Sequence, residues 1–575
     1  MLSKKQIKKI LEKADILSGL EFDKFAEEAK LKNKKIEAYL MEKKIITPLS
    51  LYESASQYYN VPFINLKGQT IRKDILFVIP EPIASTHKII AFDGDNKNIK
   101  IATTNPDNLE IFEFIQKKTG LIPKINLTTP DSIRDGLKQY HKNLKAEFDY
   151  LTKEKKDGKE QTQELKKLAE DLPVVRIVDT LLEYAIFQEA SDIHIEPEEK
   201  DVVVRYRIDG ILHDVMTLPK NVQSGIAARI KILANLKVDE HRMPQDGRFK
   251  ISTPEYNVSF HVSIIPIFDG EKIVMRLLNE RAQILNLEQL GFQSGPLEII
   301  KRNIKKPHGM ILVTGPTGSG KTTTLYTVLN LLNTPEVNIS TVEDPIEYRM
   351  PRVNQSQINP KIGFTFAMGL RALLRQDPDI IMVGEIRDQE TAEIAVHAAM
   401  TGHLVLSTLH TNDAITTIPR LHDMNVPSFL IATTTNVIIA QRLVRKICPN
   451  CIQSYNLSRD NIEELNKNLN VPTLLKTLEK EKAILKAKQE LGSVLFYRGK
   501  GCKKCSDTGY KGRIGIYEIL EISEEISNLI LKKADTQEIR EQALKEGLLT
   551  IVEDGFIKAK NGITTIEEIM RVTKE

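Results

Sequence analysis

The sequence predicts a multi-domain protein of the mixed α/β class, built around a mostly parallel sheet with helices on both faces. The chain has 575 residues, enough for about three or four domains. In its second half, short apolar segments alternate with segments of helical spacing, as in α/β folds. One apolar segment, residues 310–313, leads into a glycine-rich loop and then into helical spacing over residues 323–332. This strand, loop and helix form the predicted centre of the fold.

The glycine-rich loop fits the pattern G-x-x-x-x-G-K-S/T, the P-loop that holds the phosphates of a nucleotide triphosphate. Its glycines let backbone N–H groups turn inward around a phosphate, and the following helix adds the positive end of its dipole. Lys321 can reach the β- and γ-phosphates, and the Thr322 hydroxyl can ligate Mg²⁺. The predicted nucleotide-binding residues are Gly315, Pro316, Thr317, Gly318, Ser319, Gly320, Lys321, Thr322 and Thr323.

The composition excludes some classes of protein. The 81 basic and 77 acidic residues leave a net charge of +4, which argues against a protein built chiefly to bind nucleic acid. No apolar run is long enough to span a membrane, because polar residues interrupt the stretch at 394–412. The basic start is not followed by the apolar segment of a signal peptide. We therefore expect a cytosolic protein, one that could dock on a membrane surface.

Shifts in composition divide the chain into six predicted segments. Two have an α/β pattern and precede the core, a charged linker separates them, and the cysteines fall in an insertion after the core. The segments are an N-terminal α/β regulatory or docking domain (1–140), the linker (141–172), a second, arginine-bearing α/β domain (173–282), the nucleotide core (283–445), the cysteine-bearing insertion (446–512) and a helical C-terminal domain (513–575).

Three residues with acid–base chemistry come just after apolar strands of the predicted core. They are Glu347, Glu385 and His410. Ligands of α/β sheets bind beyond the carboxyl ends of the strands, so these side chains should lie near the γ-phosphate. A carboxylate there also suits Mg²⁺, which keeps several of its waters. We expect the strands that precede Glu347 and Glu385 to flank the P-loop strand. For each acid alone, a solvated strand end is the alternative.

The second α/β domain carries arginines on its predicted strands, among them Arg205, Arg207 and Arg248. They have two interpretations. They are either charges on the wet face of a sheet, each worth little, or a guanidinium cluster that faces a phosphate. The residues alone leave both interpretations open.

All four cysteines of the chain lie in two C-x-x-C pairs, Cys448 with Cys451 and Cys502 with Cys505. Such pairs predict a tetrahedral zinc site, and four thiolates leave no open position for catalysis. The 50 residues between the pairs require an inserted segment, which we predict to be helical over residues 462–491. Thiol redox chemistry is the competing interpretation, but no oxidoreductase pattern surrounds either pair.

The chain resembles the type II/type IV secretion ATPase superfamily, most closely the assembly motor of type IV pili and its counterpart in type II secretion. The resemblance is strong over residues 173–575 and weak over 1–140. The matching pieces are ASDIHIEP (190–197), RYRIDG (205–210), RMPQDGR (242–248), the P-loop, TVEDPIE (341–347), LRQDPDIIMVGEIRD (374–388), TGHLVLSTLHTND (401–413) and the two cysteine pairs.

The resemblance implies a RecA-like P-loop NTPase core, a PAS-like second domain and a homo-hexamer. Such a protein hydrolyses ATP with Mg²⁺ at the cytoplasmic face of the inner membrane, to which it is peripherally bound. It drives an inner-membrane platform protein and the pilus or secretion machinery. Whether the product is a pilus, a pseudopilus or a competence fibre stays open. The alternatives are a DNA-translocating motor, disfavoured by the charge balance, and a nucleotide-gated scaffold without turnover.

The resemblance also implies roles for single residues. Glu347 would be the general base, and Glu385 would act on the Mg²⁺ shell. His410, with His403, would sense the γ-phosphate. Arginines of residues 173–282 would reach across a protomer boundary toward the nucleotide of a neighbour.

The chain departs from the family pattern in two places. His261 stands where an arginine that acts across the boundary is expected, and a histidine is shorter and mostly neutral at pH 7. Arg205, Arg207 and Arg248 remain as candidates. Some assembly motors bind cyclic-di-GMP through a repeated R-L-G-x-x-L pattern, of which residues 35–40 are at best a degenerate copy. No arginine precedes Arg72. We therefore do not expect cyclic-di-GMP to bind.

Overall fold

The computed structural model describes residues 4–31, 36–43, 45–95, 97–137, 139–140, 172–253, 256–279, 285–481, 491–505 and 507–574. The predicted charged linker at 141–172 lies outside these residues except for its last position. The chain forms two compact units, Met1–Asn279 and Glu280–Glu575.

The first unit begins with four helices that enclose a small core of their own. Side chains of Ile10, Phe22, Leu51 and Tyr52 are completely buried in it. The last of these helices starts at a capping box, in which Thr47 and Ser50 satisfy each other's backbone N–H groups. The four helices are α1 (Lys4–Lys13), α2 (Gly19–Leu31), α3 (Ile36–Glu42) and α4 (Pro48–Tyr59).

A three-stranded sheet and three helices follow. The strand order is β1-β2-β3, with the first pair antiparallel and the second pair parallel. Residues 89–92 and 99–102, two short stretches rich in apolar side chains, lie in β1 and β2. The elements are α5 (Lys73–Leu76), α6 (Glu81–His87), β1 (Ile89–Gly94), β2 (Asn98–Thr103), α7 (Leu109–Thr119) and β3 (Ile122–Leu127).

The rest of the first unit is an antiparallel six-stranded sheet with two helices, in the strand order β6-β5-β4-β9-β8-β7. Its core continues into the preceding part of the unit, because Tyr184 packs on Phe114 and its hydroxyl lies 3.2 Å from Nε2 of His87. The PAS-like description of this region stays a prediction. The elements are α8 (Leu172–Phe187), β4 (Asp192–Pro197), β5 (Asp201–Ile208), β6 (Ile211–Pro219), α9 (Gln223–Leu233), β7 (Gln245–Ser252), β8 (Asn257–Ile267) and β9 (Gly270–Asn279).

The second unit is built on a seven-stranded sheet in the order β12-β11-β13-β14-β10-β15-β18. All neighbouring strands are parallel except the β15–β18 pair. The strands are β10 (Gly309–Thr314), β11 (Ile339–Glu343), β12 (Val353–Gln357), β13 (Ile380–Val383), β14 (Leu404–Leu409), β15 (Thr435–Ile447) and β18 (Tyr510–Glu521).

The P-loop strand β10 lies between β14 and β15. Our expectation that the strands before Glu347 and Glu385 flank it is therefore wrong. Those strands are β11 and β13, and β14 separates both of them from β10. A parallel connection crosses over the sheet through a helix, so strands that follow one another along the chain need not be neighbours.

Helices cover both faces of this sheet, as predicted. Met310 and Leu312 of β10 point into one core, and Ile311 and Val313 point into another. The helices of the unit are α10 (Leu287–Leu290), α11 (Ser294–Asn303), α12 (Lys321–Leu332), α13 (Phe366–Leu373), α14 (Gln389–Met400), α15 (Thr417–Asp423), α16 (Ser428–Thr434), α17 (Arg459–Asn468), α18 (Val471–Lys480), α19 (Glu524–Leu531), α20 (Thr536–Lys545), α21 (Ile551–Lys560) and α22 (Ile566–Thr573).

The insertion between β15 and β18 contains a two-stranded antiparallel sheet, β16 (Ile452–Asn456) and β17 (Leu495–Gly499). The helical segment predicted at 462–491 is present as α17 and α18, while residues 482–490 lie outside the described part. The predicted helical end at 513–575 begins instead in β18, an edge strand of the main sheet, and continues in four helices. Among the described residues, no helix is long and apolar enough to cross a membrane.

Candidate nucleotide site and cysteine cluster

The P-loop joins β10 to α12 and has the backbone that its glycines predict. Gly315 has φ +145° and Gly320 has φ +89°, values that side chains disfavour. A Cβ at Gly315 would lie 2.5 Å from the carbonyl oxygen of Gln441 on β15. Because every residue of β10 is buried, the position of the loop is fixed by the sheet. The nine predicted binding residues are contiguous in this turn and the first turn of α12.

Lys321 is the first residue of α12, and its side chain folds back over the loop. Its Nζ donates to the carbonyl oxygens of Gly315 at 2.8 Å and Pro316 at 3.2 Å. Burial lowers the pKa of Lys321 to about 8; the nearby carboxylate of Glu385 opposes this shift and the guanidinium of Arg442 adds to it. A desolvated ammonium next to a second cation favours the binding of an anion at this loop.

The other loop residues differ in exposure. Thr317 and Thr323 are exposed, and Thr322 is half-buried in the first turn of α12. Ser319 is buried, and its hydroxyl has no hydrogen-bond partner among the described residues. Small polar side chains and α12's N-terminal N–H groups therefore meet at one place, which suits a phosphate with its Mg²⁺.

Glu385 and His410, both of which we predicted to lie near the γ-phosphate, lie beside each other. The Glu385 side chain is 13% exposed, and one of its oxygens lies 3.3 Å from His410 Nε2. The other oxygen forms an ion pair with Arg387, which we had not singled out. The two residues follow neighbouring strands, because Glu385 comes after β13 and His410 after β14, and β13 pairs with β14. Of these two strands, β14 is the one that also pairs with β10.

His403 lies elsewhere in the unit. It precedes β14, whereas His410 follows it, and six residues of strand put about 20 Å between the two ends. Its Nδ1 is 2.9 Å from the carbonyl oxygen of Ala398 at the end of α14. The structure therefore does not bring His403 to the P-loop of its own chain. Its role in sensing phosphate stays a prediction and would require a nucleotide held by another protomer.

Glu347 is half-buried beside α12, the helix that starts at the P-loop. Its backbone N–H points at the Tyr326 hydroxyl, 3.4 Å away, and that hydroxyl donates to the carboxylate of Glu343. Glu343 is the buried acid at the end of β11, and burial raises its pKa. Glu385 is the acid whose charge acts on Lys321. The role of Glu347 as a general base stays a prediction.

The candidate arginines of the first unit fall into two groups. Arg205 forms an ion pair with Glu196 at 2.6 Å, and Arg207 lies 3.5 Å from Asp192. Arg248 is exposed and forms no ion pair within the described residues. Of the three, Arg248 is the one whose guanidinium is available to another molecule.

His261 faces Arg248 directly across the β7–β8 pair and Arg276 across the β8–β9 pair. Burial, and then the charges of these two arginines, lower the pKa of His261. The imidazole is therefore neutral at pH 7 and does not replace an arginine's charge.

Two residues of β15 that the sequence analysis missed contact loops of the site: Gln441 contacts the P-loop, and Arg442 contacts the loop that follows His410. The Gln441 carboxamide donates to the Ser319 carbonyl at 2.6 Å, and the Arg442 guanidinium donates to the Asn412 carbonyl at 3.0 Å. The signal was present in the sequence, since these are two adjacent polar residues within an apolar run over 437–444.

The four cysteine sulfurs all lie within 4.8 Å of one another. The sulfur–sulfur separations are 3.8 Å for Cys448–Cys502, 3.8 Å for Cys451–Cys505 and 3.7 Å for Cys502–Cys505. Four thiolates at about 2.3 Å from one Zn²⁺ are about 3.8 Å apart in a tetrahedron. The cluster joins the end of β15 and the beginning of β18 to the two-stranded β16–β17 sheet.

The surroundings of the cluster also suit a metal. Backbone N–H groups of Cys502 and Gly509 each donate to Cys505 Sγ at 3.3 Å, as expected around a ligating thiolate. Burial, with smaller effects from the neighbouring thiols, raises the pKa of Cys451 to about 12. A cation at the centre would reverse this effect, because it favours the charged thiolates.

The sheet order, the loop and the half-buried Lys321 define a P-loop nucleotide-binding protein. Comparison with protein families assigns residues 167–571 to the type II/IV secretion system protein family, and the chain belongs to that family. Residues 59–147 match the MshEN domain. The resemblance found from the motifs is thereby confirmed.

Relatives cover almost the whole chain. The type IV pilus assembly ATPase PilB of Myxococcus xanthus (strain DK1622) is 38% identical over 572 residues, 98% of this chain and 97% of the relative. The type II secretion system ATPase E of Vibrio cholerae serotype O1 is 44% identical over 415 residues, 72% of this chain and 78% of the relative. The X-ray structure of the ATPase DotB of Legionella pneumophila matches with a TM-score of 0.50 and 22% identity, covering 69% of this chain and 95% of DotB, and it supports the fold alone.

We expect ATP affinity to fall as the pH rises above about 8. The pKa of Lys321 is lowered to about 8 in the free protein, whereas bound phosphates favour the charged ammonium and raise it. Binding therefore takes up a proton above this pH, and the association constant should drop by up to about tenfold per pH unit. Titration with a fluorescent ATP analogue across this range measures it. In Lys321→Arg, whose side chain stays charged, the fall should disappear, and a flat wild-type profile would contradict the assignment.

Proposed function

We propose that the protein is an ATP-hydrolysing hexameric motor that powers assembly of a type IV pilus or of a type II secretion pseudopilus. The observation that carries the proposal is the near full-length similarity to a pilus assembly ATPase, in a chain that keeps the P-loop and Lys321. In this proposal the motor lies peripherally at the cytoplasmic face of the inner membrane, as the resemblance to the family implies. Its partners there are a platform protein and the pilus or secretion machinery.

The residues divide the work of hydrolysis among them. The loop from Gly315 to Thr322 and the ammonium of Lys321 hold the phosphates of ATP. Mg²⁺ bound beside Thr322 would neutralise charge on the β- and γ-phosphates. Glu385 would act on the Mg²⁺ shell, and Glu347 would orient the attacking water and accept its proton. His410 contacts Glu385, and the charge of Glu385 acts on Lys321. Loss of a γ-phosphate from beside His410 would therefore change the interactions of Glu385 and, through it, those of Lys321.

The four cysteines hold a structural Zn²⁺ in this proposal. Their sulfur separations fit a tetrahedral site, and the two C-x-x-C pairs lie at the four junctions of the insertion. Such a site contributes on the order of 10 kcal/mol to the folding of the segment that it closes. Its role is local, since β15 and β18 pair along most of their length without it.

Cyclic-di-GMP is not part of the proposed function. Within the degenerate pattern at 35–40, Lys35 lies outside the described residues, and no arginine precedes Arg72. The match of residues 59–147 to the MshEN domain counts against this expectation, because family members that bind the dinucleotide hold it in their N-terminal domain. The expectation stays a prediction.

The two glutamates should respond differently to removal of their charge. We expect Glu347→Gln to bind Mg²⁺-ATP normally and to hydrolyse it at least ~100-fold more slowly, the scale for loss of a general base. Glu385→Gln should also be slow and should need more Mg²⁺. Phosphate release against Mg²⁺ concentration measures both effects. Lys321→Ala is the inactive reference, and Glu393→Gln, at an exposed acid on α14, is the matched control.

Normal turnover in Lys321→Ala would remove the P-loop from the mechanism. If Glu347→Gln hydrolyses ATP normally while Glu385→Gln is inactive with an unchanged Mg²⁺ requirement, the two roles are reversed.

Arg248 is expected to act on a nucleotide held by another protomer. Arg248→Ala should lower turnover more than ATP affinity, because the guanidinium stabilises charge that develops during hydrolysis. Mixed rings of Arg248→Ala and Lys321→Ala chains should recover part of the activity, since some interfaces then combine an intact loop with an intact arginine. Lys237→Ala, at another exposed cation of the first unit, should behave as wild type. Absence of recovery at every mixing ratio contradicts a trans-acting Arg248.

Removal of zinc should loosen the insertion and spare the nucleotide core. We expect a chelator, or Cys448→Ser, to speed amide hydrogen exchange in β16 and β17, because these strands depend on the cluster for closure. Exchange in β10 and binding of ATP should stay within about twofold of the untreated protein, and added Zn²⁺ should restore the chelated sample. Metal analysis that finds no zinc in the reduced protein contradicts the assignment.

A further inference from the structure

Strand β15 carries two buried polar residues beside the P-loop that the mechanism above does not use. Gln441 is 1% exposed and Arg442 is 7% exposed, in the strand that pairs with β10. Buried polar side chains in a sheet must find hydrogen-bond partners, and an apolar residue would fill the same space at lower cost. Their partners show what these two residues hold in place.

Gln441 contacts the P-loop and the first turn of α12 at three points. Its carboxamide donates to the carbonyl of Ser319 at 2.6 Å and accepts from the hydroxyl of Thr324 at 2.8 Å. Its backbone carbonyl lies so close to Gly315 that no Cβ fits there. The beginning of the loop, its end and the first turn of α12 are therefore all set by one residue.

Arg442 contacts the loop that follows β14 and contains His410. Its Nη2 donates to the carbonyl of Asn412 at 3.0 Å, two residues after His410. The same loop is tied to the end of β10, because Thr411 N–H donates to the Thr314 hydroxyl at 2.8 Å. These contacts fix where His410 stands relative to the P-loop.

Adjacent residues on one strand thus join the loop that holds the phosphates to the loop that bears His410. We propose that Gln441 and Arg442 are positioning residues for ATP hydrolysis: Gln441 sets the P-loop through Ser319 and Thr324, and Arg442 sets the His410 loop through Asn412. The inference rests on the proposed function of Lys321 and His410. Neither residue needs to touch the nucleotide for this role.

The two residues should separate in kinetics, since they hold different loops. Gln441→Leu should weaken ADP and ATP about equally, by about tenfold, the effect of leaving the buried groups of the P-loop unpaired. Thr324→Val removes only one of these bonds and should weaken both nucleotides several-fold. Arg442→Met should lower kcat about tenfold. Because it also removes a cation that acts on Lys321, it should raise the KM for ATP and weaken ADP, but each by less than about threefold. Arg442→Lys, which keeps one charged donor, should regain part of kcat.

The measurements are equilibrium binding of ADP and of ATP, steady-state turnover, and the thermal unfolding midpoint of each variant in the full chain. Arg420→Met is the matched control, because Arg420 is an exposed arginine of the same unit, on α15. It should match wild type in all three measurements. The binding and turnover patterns above, with midpoints close to wild type, support the proposal.

Two outcomes overturn it. Nucleotide affinity and kcat that stay at wild-type values in Thr324→Val and Arg442→Lys would show that the two contacts serve only the fold, whatever the unfolding midpoints of the larger substitutions. Equal loss of ADP affinity in Gln441→Leu and Arg442→Met would show that the residues do not act on separate loops. If Lys321→Ala also hydrolyses ATP normally, the proposed function fails. If Lys321→Ala is inactive while either of the two outcomes above is observed, only the proposed positioning role fails.

Discussion

The burial of β10 on both faces is the constraint on which the nucleotide site depends. Its side chains alternate between two cores, and β14 and β15 pair with it on either side. A strand held in this way cannot shift along its axis without moving apolar side chains out of both cores. The loop that follows Thr314 therefore has a fixed position at the end of the sheet. Strand β14 ends at the same edge, and His410 follows it there.

The charged side chains around the P-loop are arranged to bind a polyanion. Lys321 and Arg442 bring two desolvated cations beside the loop, and Glu385, itself paired with Arg387, is the acid that acts on Lys321. Like charges in a region of low dielectric repel each other, so the arrangement is costly without a bound anion. A bound triphosphate offsets this repulsion, and the repulsion therefore favours its binding.

The C-terminal helices are fastened to this sheet by buried polar contacts rather than by apolar packing alone. Asp554 on α21 accepts from the backbone N–H of Tyr517 on β18, and Lys558, 2.6 Å from Asp554, donates to the carbonyl of Gly515. A buried pair of this kind contributes little net stability but is costly to break, so it fixes one orientation of the helix. Asp413, which follows the His410 loop, reaches Arg540 on α20 at 2.8 Å. The phosphate end of the sheet and the C-terminal helices are thus joined by specific side chains.

The sequence by itself determined the parts of this protein that local spacing encodes. The P-loop, the strand at 310–313, the helix at 323–332 and the paired cysteines are all visible in short windows, because periodicity and glycine placement are properties of neighbouring residues. Even the separation of His403 from His410 was implied by the predicted strand between them, although we assigned them one role. The tertiary structure alone decided which strands flank β10, because crossover connections leave strand order free. It therefore also decided that Gln441 and Arg442 face the loop, that Glu385 rather than Glu347 acts on Lys321, and that residues before and after the linker share a core. These are contacts between residues distant in sequence, and they follow from which apolar faces meet when the chain closes on itself.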